Sequence, residues 1–191
     1  MKEIRFHGRG GLGAVTASEL LAQAAFLDGL YPQAFPFFGV ERRGAPVTAY
    51  LRVDARPLSV RTAITEPDVV VVLERGLLRT IPVTRGLKPG GLLLVNAAPP
   101  VAPGVFGFPG RTAVVDATAI ALENGLGSAA VPIVSTAILG ALVAATGLVR
   151  LDSLKAAISK TVPRKVEENL RAAEDGFRSV ALVAPSLGVP A

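Results

Sequence analysis

Four glycines in six residues, Gly8-Arg9-Gly10-Gly11-Leu12-Gly13, stand between a short alternating segment, Lys2–His7, and a stretch of helical periodicity. That order admits few structures. Alternation over Lys2–His7 predicts a strand, and the glycines allow a tight turn at its end. The spacing then predicts a helix over roughly Leu12–Asp28. Thr16, Glu19 and Gln23 fall on one polar stripe of it, and Val15, Leu20, Leu21, Ala24 and Leu27 cover the rest. Gly29 ends it. A strand feeding a helix through a glycine turn is the first unit of an α/β fold.

Later segments extend this pattern. Asp68–Leu73 and Gly91–Val95 are apolar runs of strand length, without polar alternation, as expected for strands buried on both faces of a parallel sheet. Thr112–Asp116 is a further short strand, followed by a helix over about Ala117–Asn124. Tyr31–Phe38 reads as extended, but Pro32 and Pro36 confine it to an irregular or edge strand. Gly39–Pro46 is a loop, and Ala45–Val53 the next strand. Residues 97–110, with four prolines and three glycines, form a surface loop. The last third is helical: Ser128–Gly147, rich in small residues, then Leu151–Lys160, then about 164–180 with Pro163 suited to its first position. Val166, Leu170, Ala173, Phe177 and Val180 form the apolar stripe of the final helix, and Glu167–Arg171 and Glu174–Arg178 are i,i+4 pairs. The tail beyond Val180 is expected to end loosely. The fold class is α/β: a single Rossmann-like domain over residues 1–191, with a mostly parallel sheet and a helical C-terminal third.

Composition narrows the chemistry. Half of the 191 residues are hydrophobic and 18% are charged, which excludes overall disorder. The absence of cysteine excludes a thiol nucleophile and a cysteine-held iron–sulfur cluster on this chain. One histidine gives little basis for a transition-metal site. The N-terminus MKEIRFHG lacks the apolar run of a signal peptide, so a cytoplasmic location is expected. The net charge of +5 lies wholly in residues 1–111, which hold 13 basic and 8 acidic side chains against 7 of each thereafter. Fifteen of the basic residues are arginine, suited to forked contacts with phosphate or carboxylate. No basic run or aromatic-interleaved stripe points to nucleic acid. An uncharged stretch of 26 residues between Glu123 and Arg150 is long enough to span a bilayer. Its Asn124, Pro132, Ser135, Thr136 and Thr146 instead favour a buried helix and no membrane contact.

Gly8-x-Gly10-x-x-Gly13 after a strand and before a helix is the setting in which this motif binds phosphate. Helix N–H groups and the positive dipole end then face an anion. A dinucleotide fold also needs an acid at the end of the second strand to hold the ribose. Here that strand ends at Phe37-Phe38-Gly39, and Glu41 lies beyond it in a loop, so an NAD site is poorly supported. The adjacent arginines Arg42 and Arg43 could be a solvated turn or a second wall of a phosphate site.

The glycine loop Gly8–Gly13 with Ala14-Val15-Thr16-Ala17, taken together with Phe35–Val47 (FPFFGVERRGAPV), resembles the gamma subunit of pyruvate/2-ketoisovalerate ferredoxin oxidoreductases. The resemblance extends to Gly90-Gly91, Val95-Asn96, Val115–Thr118 and Val162–Lys165, and so to nearly the whole chain. One position departs from it: the family's loop usually reads GRGGQG, and Leu12 stands in place of the glutamine, which leaves a polar contact there open. The resemblance implies a subunit of an enzyme that oxidatively decarboxylates a 2-oxoacid to an acyl-CoA and passes electrons to ferredoxin. It implies thiamine diphosphate between alpha and beta partner subunits, iron–sulfur clusters on other chains including a ferredoxin-like delta subunit, and coenzyme A held partly here. The coenzyme A residues it implies are Gly8, Arg9, Gly10, Gly11, Leu12 and Gly13, with Arg42 or Arg43 as the basic residue that follows. The family's asparagine contact is not carried over, since Val131-Pro132-Ile133 contains none.

No nucleophile–base pair is visible, so no catalytic residue is assigned and the isolated chain is expected to be inactive. His7 reads as a structural strand-end histidine. Glu74 and Asp116 stand at strand ends, where they can serve a site or cap the following turn. The alternatives are a subunit of an indolepyruvate or 2-oxoglutarate enzyme, a free-standing nucleotide-binding oxidoreductase, and a scaffold subunit with an empty glycine loop.

Overall fold

The computed structural model describes residues 1–37, 45–60 and 62–183. The predicted loop residues Gly39, Glu41, Arg42, Arg43 and Gly44, and the tail after Val183, lie outside the described residues. In chain order the elements are β1 (Lys2–Arg9), α1 (Ala14–Leu27), β2 (Tyr31–Phe37), β3 (Pro46–Asp54), β4 (Val69–Val72), a 3₁₀ turn (Arg75–Arg79), β5 (Leu92–Asn96), β6 (Arg111–Val115), α2 (Ala117–Glu123), α3 (Ser135–Thr146), α4 (Leu151–Thr161), α5 (Val166–Ser179) and β7 (Ala181–Val183).

One seven-stranded sheet runs β2-β3-β1-β4-β5-β6-β7. Its central strands β1, β4, β5 and β6 are parallel, as the uninterrupted apolar runs predicted. The α/β class is therefore as expected. The flanks are antiparallel: β3 pairs with both β1 and β2, and β7 with β6. The connection β1–α1–β2 is a parallel crossover that skips one place, and β3 fills the gap. The proline-bearing β2 takes an edge, where a missing N–H costs no ladder bond. Strand β7 was not expected, because the tail was read as loose. Three residues, Ala181–Val183, find the free edge of β6 at Thr112–Val114.

Alternate residues along each central strand enter two cores. Ile4, Phe6, Val69, Val71, Leu92 and Leu94 face the α-helices. Val70, Val72, Leu93, Val95 and Val114 face a second core, covered by the 3₁₀ turn and irregular segments through Leu77, Ile81, Val83 and Phe106. On β1 that second face carries Arg5 and His7, both buried. The Arg5 guanidinium donates to the carbonyls of Ile64, Val83 (2.8 Å) and Arg85 (2.6 Å), and so binds the covering segments to the sheet.

The uncharged stretch folds as a short buried helix. No helix among the described residues is long and apolar enough to cross a membrane. Helix α3 begins at Ser135 rather than Ser128, because residues 128–133 form a turn closed by a bridge between Gly127 and Pro132. The final helix departs from expectation in two ways. Pro163 does not open it: the residue before a proline is driven to extended geometry, so Val162 caps α4, and α5 starts only at Val166 after a left-handed Lys165. Its buried face matches the predicted stripe only in part: Ala173 is buried and Leu170 and Val180 pack against the core, but the face also takes in residues outside the stripe. Asn169, Ala172, Ala173 and Gly176 turn inward while Phe177 lies outward. The reason is contact with α3. A Cβ on Gly140 would stand 1.9 Å from the Ala173 carbonyl oxygen, and one on Gly176 would stand 1.9 Å from that of Ala137. The two backbones touch, and only small residues fit between them. Of the two expected ion pairs, Glu174–Arg178 is present at 3.5 Å, whereas Arg171 donates to Asn124 at 3.3 Å.

Helix α4 is fastened to α1 by Asp28, whose carboxylate accepts from the backbone N–H and guanidinium of Arg150, both at 2.8 Å, and from the Ser153 hydroxyl. Burial pushes the Asp28 pKa upward, but the bonds to Ser153 and Arg150 outweigh it and hold the group below its ordinary value.

Candidate functional site

The glycine loop forms because its residues meet three separate demands. Gly8, still in β1, permits close packing: a Cβ there would lie 3.0 Å from the Ala14 Cβ. The turn closes with the Leu12 N–H on the Arg9 carbonyl at 3.0 Å, and Gly11 and Gly13 take φ values of 98° and 83°. Gly13 is the N-cap of α1, which has no side-chain cap and no acid in its first turn. The helix thus begins with a positive dipole end that no acid of its own first turn offsets. Gly10 is exposed, and its N–H bonds to the Ala45 carbonyl at 3.2 Å, which ties the β2–β3 connection to the loop. Leu12 is half-buried and lines the adjoining crevice.

That crevice, of about 400 Å³, opens at the carboxyl ends of β1, β4 and β5. Open α/β sheets bind ligands in this position. Its walls include Arg9, Gly10 and Leu12 from the loop, Glu74 and Arg75 after β4, and Asn96 at the end of β5. Glu74 is consumed locally. One oxygen accepts from Arg9 Nε at 2.7 Å and the other from the Gly76 N–H at 2.8 Å, capping the 3₁₀ turn. Asn96 bonds the Leu73 carbonyl and Thr118, fixing the start of α2 to the sheet. Asp116 caps α2 through the Ala119 N–H at 2.9 Å. Both strand-end acids are therefore caps. The sequence reading did not single out Arg75 or Asn96 for this wall. Their positions immediately after apolar strand runs are the signal that could have marked them.

His7 lies under the loop, not in the crevice. Its Nε2 accepts from Arg5 Nε at 3.0 Å, and Thr48 Oγ1 stands 3.5 Å from Nδ1. Burial, reinforced by the Arg5 charge, pushes its pKa down to about 3. The histidine is neutral at physiological pH, as a structural role requires. The folded state refuses a proton that the unfolded chain accepts below about 6.5, so this group costs nothing above that pH and destabilises progressively as pH falls toward about 3. Its contribution to the slope reaches about 1.4 kcal/mol per pH unit within that window. Denaturant unfolding across the window should show this component in the parent and lose it in His7→Gln, which keeps an acceptor for Arg5 but cannot titrate. Equal slopes in the two proteins would show that His7 titrates freely.

The topology also bears on a nicotinamide site. A dinucleotide-binding unit sets the strand after the first helix directly beside β1, whereas here the antiparallel β3 lies between them.

Comparison with known proteins agrees with this architecture. The family model for pyruvate ferredoxin/flavodoxin oxidoreductase matches residues 3–179. The chain is 55% identical over 186 residues to the pyruvate/ketoisovalerate oxidoreductases common subunit gamma of Thermococcus kodakarensis, covering 95% of this chain and 98% of that one. It is 50% identical over 182 residues to the pyruvate synthase subunit PorC of Methanothermobacter marburgensis, covering 94% and 98%. The crystal structure of the pyruvate oxidoreductase subunit PORC of Thermotoga maritima superposes with a TM-score of 0.81 at 39% identity, covering 96% and 98%. The chain belongs to the pyruvate ferredoxin/flavodoxin oxidoreductase family and is similar over nearly its whole length to gamma and PorC subunits of that family.

Proposed function

We propose that this subunit holds the phosphorylated nucleotide end of coenzyme A at the glycine loop, Gly8–Gly13, with Arg42 and Arg43 as its basic partners. The observation that carries this reading is the uncapped, acid-free start of α1 opening beside a crevice at the carboxyl ends of the parallel strands. Such a helix start donates N–H bonds to phosphate oxygens. Ala45, two residues after Arg43 in the sequence, is hydrogen-bonded to Gly10. The residues fit the ligand: the positive excess is confined to residues 1–111, and coenzyme A is polyanionic.

In this reading the chain performs no bond-making step. Alpha and beta partners would hold thiamine diphosphate, which would supply the chemistry for decarboxylating the 2-oxoacid. A ferredoxin-like delta subunit would hold iron–sulfur clusters, which would supply electron transfer to ferredoxin, and coenzyme A would supply the thiol that accepts the acyl group. This chain, without cysteine, anchors the nucleotide so that the thiol arm reaches a partner's site. Phe26, Tyr31 and Phe37, exposed at or near the β2 edge, support burial against other subunits in a soluble, cytoplasmic assembly.

The test is an Arg42→Ala/Arg43→Ala double variant in the assembled enzyme. A charge-assisted hydrogen bond contributes about 1.5–3 kcal/mol, so loss of even one contact should raise the apparent KM for coenzyme A roughly ten- to a hundred-fold. The KM for the 2-oxoacid should change far less. An unchanged coenzyme A response, with the complex intact by gel filtration, would leave the arginines as surface residues.

A further inference from the structure

The structure assigns Arg75 as a cationic wall of the crevice: we infer that it binds a phosphate of coenzyme A beside the glycine loop. The inference rests on the coenzyme A reading above and adds a residue that reading does not contain. Four observations carry it.

Arg75 follows β4, the strand next to β1, and lines the same crevice as Arg9, Gly10 and Leu12.

The Arg75 guanidinium lies 5.7 Å over the centre of the Phe106 ring. A guanidinium over an aromatic face is attracted by the ring while its N–H groups stay available to an oxyanion. Phe106 is itself packed on the second core, so the support is fixed to the sheet and the donor is held in place before a ligand arrives.

No carboxylate among the described residues pairs with Arg75. Glu74 is the one acid lining this crevice among them, and both of its oxygens are taken, by Arg9 Nε at 2.7 Å and the Gly76 N–H at 2.8 Å.

The backbone keeps Glu74 in that state. Gly76 leaves room for the carboxylate to fold onto its own turn: a Cβ there would stand 2.3 Å from Glu74 Oε1. The acid folds back to cap the 3₁₀ turn, and Arg75 lines the crevice with no carboxylate partner among the described residues.

The assembled enzyme tests this with Arg75→Ala and Arg75→Lys. Arg75→Ala should raise the apparent KM for coenzyme A about tenfold, and should make that KM less steeply dependent on salt, because one cation–phosphate contact is gone. Arg75→Lys keeps a charge without the fork or the stacked geometry, and should recover part of the loss. The KM for the 2-oxoacid and the melting temperature should move little. Repeating the titration with dephospho-coenzyme A separates two sources of the anion. A loss that vanishes with this ligand places Arg75 on the 3′-phosphate, and a loss that persists places it on the pyrophosphate; either result supports the assignment. A coenzyme A KM within twofold of the parent, with unaltered salt dependence, overturns it. The Arg42→Ala/Arg43→Ala variant distinguishes the two failures. If that variant weakens coenzyme A binding while Arg75→Ala does not, only the present inference is lost. If neither does, the coenzyme A reading falls with it.

Discussion

Gly176→Ala and Gly140→Ala are each expected to destabilise the protein by about 3 kcal/mol or more, the upper end of what overpacking ordinarily costs. The sign is informative, because generic helix propensity predicts the reverse: alanine is favoured over an interior helical glycine by about 1 kcal/mol. Here the added carbon would stand 1.9 Å from a carbonyl oxygen of the facing helix, and 2.8 Å from the carbon bearing it. Those are backbone atoms, so no side-chain rotation relieves the clash; α3 and α5 must move apart. Separation would also stretch the Thr136–Asn169 hydrogen bond, 3.0 Å and buried, that spans the same pair of helices. Valine at either position should prevent folding. Gly147→Ala is the control. It has a left-handed φ of 61° and no neighbouring atom within 4 Å, so it should cost only the conformational penalty of about 1–2 kcal/mol. Urea unfolding of the three alanine variants measures this. Parent-like stability in the Gly140 and Gly176 variants would mean that the helices do not approach as closely as described.

Arg5→Ala should cost about 3–5 kcal/mol, a large share of the 5–15 kcal/mol typical of a folded domain. The side chain is buried, and it is held by three backbone carbonyls and His7 rather than by a carboxylate. Removing it leaves the Val83 and Arg85 carbonyls without their donor, and opens a cavity beneath the segment that covers the second core. Arg5→Met separates the two contributions. It refills the volume but supplies no donor, so it should regain only part of the loss. If Arg5→Met matched the parent, the polar contacts would contribute nothing beyond packing. Hydrogen exchange in residues 82–88 should rise in both variants, because Arg5 fastens that segment to β1.

The strand–glycine–helix unit was legible because each part obeys a local rule. Alternation marked β1, the polar stripe Thr16–Glu19–Gln23 marked the exposed face of α1, and left-handed glycines marked its start. The central strands were legible from apolar runs such as Val69–Val72, whose burial on both faces leaves no polar alternation to confuse them. The two prolines sent β2 to an edge. Charge placement and the missing cysteines limited the chemistry this chain can perform.

Tertiary structure decided what depends on a neighbour. The inward face of α5 was read only in part: Ala173 lay on the expected stripe, but Phe177 turned outward, and Asn169, Ala172 and Gly176 inward. Ala173 and Gly176 meet α3 because only small residues let its backbone come so near. Strand β7 escaped notice because three residues have no periodicity of their own, and the free edge of β6 supplies their partner. Antiparallel β3 beside β1 could not be read locally either, since ladder direction belongs to pairs of strands. The same holds for the crevice. The sequence determined that a glycine loop would open α1 and that arginines would be plentiful, because both are properties of short runs. Which arginine would pair with a carboxylate and which would lie over an aromatic ring was settled only when β4 came beside β1. Arg9 then met Glu74, and Arg75 met Phe106, across stretches of chain that no local rule connects.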